Sequence, residues 1–153
     1  MASPSALDTL IDLAHKETDE AAKQLGLALR AGDEAVQKLD LLLQYRNDYA
    51  ARCQSNLASG ISTTHLNNFQ VFMQKLDHAI SGQQKIADDT QLRIAQARAA
   101  WQTCEQKKMS FVTLAERANK EQSRRELWRD QKQNDEHAAR RSPHNPQHKR
   151  TPS

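Results

Sequence analysis

Two cysteines and six histidines carry most of the chemical potential of this chain, and their spacing limits what they can do. Cys53 and Cys104 lie far apart, and no Cys-x-x-Cys occurs that would hold a metal or a redox couple. His15, His65, His78 and His137 are scattered. None forms the His-x-x-x-His pair that sets two imidazoles on one helix face, and His144 and His148 stand among prolines and basic residues near the end. Each histidine is read as a solvent-facing polar residue, the last two with no more than an incidental affinity for nickel. There is no glycine-rich phosphate loop. No catalytic residue, metal or cofactor is therefore expected.

The elements that must position these side chains are written in the apolar pattern. From Leu7, the positions Ile11, Ala14, Thr18, Ala21, Leu25, Ala28, Gly32, Ala35, Leu39, Leu42, Arg46, Tyr49 and Cys53 follow in alternating steps of four and three, broken only by Thr18, Gly32 and Arg46. A second series runs from Phe69 through Met73, Leu76, Ile80, Gln83, Ala87, Thr90, Ile94 and Ala97 to Trp101, Cys104, Lys108, Phe111, Ala115 and Ala118. A residue every 3.5 positions keeps a narrow seam against a partner helix in a left-handed supercoil. With four glycines, four prolines and 5% aromatics, the composition suits such a seam better than a layered core. The fold class predicted is all-α: a long antiparallel two-helix coiled-coil hairpin with an overhanging second helix and a disordered C-terminal tail.

Ser3, Pro4 and Ser5 signal the start of a helix over about 5–57, with Ser5 as its cap. Residues 58–64 make the turn, where Gly60 ends one helix and Ser62 or Thr63 caps the next. The second helix runs over about 64–140, and 142–153, rich in Pro, Ser and His, is read as a tail beyond a single hairpin domain of residues 1–141. Gly26 and Gly32 are soft points in a helix expected to continue through both. A short connection near residue 62 makes antiparallel partners add to roughly 124. This registration places Cys53 near Val71 and Cys104 near Glu20, too far apart for a disulfide. It also leaves residues after about Ala118 without a partner in the hairpin.

Charge is uneven: residues 1–58 carry nine acids and six bases, residues 116–153 six and ten. Arg117, Lys120, Arg124, Arg125, Arg129, Lys132, Arg140 and Arg141 offer a basic surface to an acidic protein or a nucleic acid. Pairing along the helix, as of Glu121 with Arg125, gives the same residues a purely solvated role, which is favoured because only Trp128 interleaves with the bases. Reduced cysteines and the lack of an apolar run of about 20 residues fit a cytoplasmic protein, with a membrane-bound partner left open. Beyond the seam, Tyr45, Val71, Phe72 and Ala79 are apolar where a coiled coil should be polar. Leu42, Tyr45 and Tyr49 on the first helix and Phe72, Leu76, Ala79 and Gln83 on the second converge near the turn. They make either a docking surface for a protein or a widened core at the hairpin's tip.

Several strings resemble the FliJ family of the flagellar type III export apparatus. These are Ala6-Leu7-Asp8-Thr9-Leu10 with Asp12-Leu13-Ala14 and Lys16-Glu17, Tyr45-Arg46-Asn47-Asp48-Tyr49, Gly60-Ile61-Ser62, Asn68-Phe69-Gln70 with Phe72, and Thr113-Leu114-Ala115-Glu116-Arg117. The likeness covers roughly residues 2–141. It implies a non-enzymatic, cytoplasmic protein, peripherally associated with the inner-membrane export apparatus, whose hairpin is similar to the central stalk of rotary ATPases. The partners implied are the hexameric export ATPase, entered by the end carrying both termini, the cytoplasmic domain of the export gate, and the chaperones of flagellar substrates. The resemblance assigns gate binding to Leu42, Tyr45, Tyr49, Phe72, Leu76 and Ala79. The ATPase ring would meet the end of the hairpin bearing Leu7, Ile11, Arg117, Lys120 and Arg124. Lys38 and Gln83 stand where the family commonly has Gln and His at the edges of the gate patch, Leu66 where it has a Trp, and Asn134 where it has a Met. The alternative from the residues alone is a general coiled-coil scaffold or a nucleic-acid-associated protein using its basic C-terminal helix. Monomer against dimer stays open, because the same seam could zip two chains.

Overall fold

The computed structural model of the chain describes residues 4–141. Two helices, α1 (Pro4–Ser59) and α2 (Thr63–Arg141), are joined by Gly60-Ile61-Ser62 alone. Both helices run one or two residues beyond their expected bounds. Pro4 is already helical, as its fixed φ and missing N–H allow at a first position. Ser5 therefore lies inside the first turn and not ahead of it as a cap. At the other end of α1, Gly60 takes φ +81°, a left-handed conformation that glycine adopts without steric cost, and its N–H donates to the Leu57 carbonyl at 3.2 Å. Ser62 caps α2: its Oγ accepts the His65 N–H at 3.2 Å, and its carbonyl accepts the Leu66 N–H at 3.1 Å.

The described residues divide into two compact units, one of residues 12–108 and one that joins residues 4–11 to residues 109–141. In the larger unit the helices pack antiparallel. Glu17 pairs with Lys107 and Arg46 with Asp77, each within one residue of the registration that the short turn predicts. Ala14, Ala35, Cys53, Leu76, Ala87 and Ile94 are buried along the seam.

Each break in the seam has a structural use. Thr18 is buried and its hydroxyl donates to the Ala14 carbonyl at 2.8 Å. Gly32 lets α2 come close, since a Cβ there would stand 2.8 Å from Cδ1 of Ile94. Arg46 leaves the seam to reach Asp77. On α2, Gln83 donates through Nε2 to the Ala35 carbonyl at 3.0 Å, and Thr90 donates to the Ala87 carbonyl at 2.6 Å. Polar side chains inside a narrow seam are tolerated because each is bonded, and no buried side-chain polar atom among the described residues lacks a partner.

In the smaller unit Leu7 is buried and Ile11, Phe111, Val112, Ala115 and Ala118 are half-buried. From Gln122 to Arg141 every residue is exposed. The predicted tail, with His144 and His148, lies outside the described residues. No helix among the described residues is long and apolar enough to cross a membrane.

Candidate partner-binding surfaces

The residues singled out near the turn belong to the larger unit, and three of them meet. The ring of Tyr49 stacks on Phe69 at 4.7 Å with an interplanar angle of 4°, and tilts against Phe72 at 4.5 Å and 50°. Tyr45 leans toward the same Phe72, ring centroids 6.4 Å apart. The antiparallel register produces this cluster. Tyr49 and Phe69 lie on the facing seams, while Tyr45 and Phe72 occupy the heptad position that flanks the seam on one side.

The cluster is core on its inner side and surface on its outer side. Leu76 is buried, Leu42, Tyr49 and Phe72 are half-buried, and Ala79 is exposed. Tyr45 keeps 57% of its surface in water. Aromatic contacts widen the core at the tip, while Tyr45 and Ala79 are exposed. Gln83, at one edge of the stripe, is turned inward by its bond to Ala35. Arg52, Cys53, Asn56, Ile61, His65 and Asn68 continue from Tyr49 and Phe69 as an open groove at the turn.

The other predicted set, Leu7, Ile11, Arg117, Lys120 and Arg124, falls wholly within the smaller unit. Leu7 is buried there, Ile11 half-buried, and the three bases are exposed. Glu121 holds Arg124 and Arg125 at 3.5 Å each, so part of the basic surface is laced along its own helix. Lys132 lies over the Trp128 ring at 5.3 Å. Cys53 and Cys104 are free thiols.

The family model of the flagellar FliJ protein matches residues 3–147. The chain belongs to the FliJ family. Two flagellar FliJ proteins are similar to it over 147 residues: 33% identical in Escherichia coli (strain K12) and 32% in Salmonella typhi, each alignment covering 96% of this chain and 100% of the relative. Membership makes it a component of the flagellar export apparatus and not an enzyme.

A further row of apolar side chains on α1 was not singled out in the sequence, although its spacing is regular. Leu29, Val36 and Leu43 are seven residues apart and each about 40% exposed, and Leu57 continues the row at 50%.

Proposed function

We propose that this protein is a stalk-like coiled coil of the flagellar type III export apparatus that binds and stimulates the hexameric export ATPase, contacts the export gate and engages substrate chaperones. The observation that carries the reading is the alignment with flagellar FliJ proteins along their entire length. Its action is mechanical and stoichiometric, in the cytoplasm and peripheral to the inner membrane. Leu7, Ile11, Arg117, Lys120 and Arg124 serve the ATPase ring. Leu42, Tyr45, Tyr49, Phe72, Leu76 and Ala79 serve the gate, with the exposed edge of Tyr45 over the fixed ring of Phe72 as the anchor. Aromatic side chains held by neighbouring rings lose little entropy on binding, which suits a small contact area.

The test is turnover and pull-down of the cognate ATPase with the intact protein and with a version ending at Ala118. Stimulation by the intact protein that falls with the truncation is the expected result. An intact protein that neither binds nor stimulates overturns the coupling role.

A further inference from the structure

The two sides of the seam in the larger unit are chemically different. The side marked by the Glu17–Lys107 and Tyr45–Phe72 contacts carries the aromatic patch. The opposite side, marked by Arg46 and Asp77, carries one heptad position of α1 read six times: Ala22, Leu29, Val36, Leu43, Ala50 and Leu57. Two helices need only two apolar positions per heptad, and a third apolar position beside them is the pattern of a helix that packs on a second neighbour. Leu29, Val36, Leu43 and Leu57 are 40–50% exposed, so the hairpin covers this row only in part. At 1.5 Å per residue it is a strip roughly 50 Å long.

Its surroundings say what would cover it. Facing the row across the seam, the same flanking position of α2 carries Asp77, Gln84, Gln91, Arg98 and Glu105, uncharged at its middle. The next rows outward are acidic at the middle of the strip, with Asp33 and Asp40 on α1 and, by the register, Asp88 on α2, all exposed. A second copy would bring the same carboxylates against these, so self-association on this side is disfavoured. We infer that this strip is a docking groove for an amphipathic helix of another protein, with Leu, Ile or Val at heptad spacing and Lys or Arg along its edges, completing a three-helix packing. The groove lies on the side away from Tyr45 and Phe72 and stands independently of the roles proposed above.

The test uses the full chain and two labelled synthetic helices of about four heptads. Both carry Leu at the seam positions; one has Arg and the other Glu at the flanking positions, so that neither pairs with itself. In fluorescence anisotropy the Arg-edged helix is expected to bind, and more weakly as salt rises, with the Glu-edged helix weaker by on the order of tenfold. V36E, and separately the triple variant L29E/V36E/L43E, should lose most of that binding with helix content by circular dichroism unchanged. D33K/D40K keeps the apolar row and should reverse the preference to the Glu-edged helix, while Y45A should leave binding as it is. The groove is overturned if both helices bind equally, if the Arg-edged helix does not bind, or if Y45A weakens it as much as V36E does. It is equally overturned if sedimentation shows a dimer of the unmodified chain that V36E dissolves.

Discussion

The seam is built in two styles within the larger unit. Near the turn it is aromatic, with Tyr49 between Phe69 and Phe72. Farther along it is made of small residues, with Ala14, Ala35 and Ala87 buried, Thr18 and Thr90 donating to carbonyls of the preceding turn, and Gly32 against Ile94. The small-residue stretch gains its burial from close approach of the two backbones, so it resists enlargement. The aromatic stretch gains its burial from side-chain area, so it resists truncation.

Size-changing substitutions are the direct way to break this contrast. The largest effect is expected from Ala87→Glu, which puts a charge into the narrow stretch and should cost about 3–5 kcal/mol in urea unfolding. An equal loss from a glutamate at exposed Ala79 would erase the distinction between seam and surface. Next comes Tyr49→Ala, expected to cost about 2 kcal/mol through the lost ring contacts, whereas Tyr45→Ala should cost about 0.5 kcal/mol or less because that ring is mostly in water. If both tyrosines cost the same, the cluster is not core on one side and surface on the other. The smallest effects sharpen the role of glycine. Gly26→Ala meets nothing within 4 Å and should stabilise by about 0.5–1 kcal/mol. Gly32→Ala gains the same helix propensity but must displace Ile94, and should fall short of Gly26→Ala in thermal melts. Equal gains would mean that Gly32 does not set the helix separation.

The heptad seams were legible in the sequence because a period of 3.5 sustained over so many residues has no other use. The register was legible because a short connection leaves little freedom: Glu17 and Arg46 meet partners within one residue of the predicted places. The uses of the breaks were not legible. A glycine, a threonine and an arginine read alike as interruptions, and only the neighbouring helix shows that one admits Ile94, one bonds Ala14 and one reaches Asp77. In the candidate site, the convergence of Tyr45, Tyr49 and Phe72 followed from the register. Which faces of them stay in water depends on ring tilt, which the sequence does not encode locally. The row from Ala22 to Leu57 was readable by its spacing of seven, but its members directly follow Ala21, Ala28, Ala35, Leu42 and Tyr49 of the seam and merge with that stripe.

The turn at Gly60 has one more consequence. Three residues tether two long helices, and nothing stands within 4 Å of where a Cβ on Gly60 would be. Gly60 contributes no side-chain packing, yet the tether holds each helix at an effective concentration of order millimolar around the other. A single backbone cut there would turn a folding equilibrium into an association between two separate peptides, and the midpoint of melting would then depend on protein concentration.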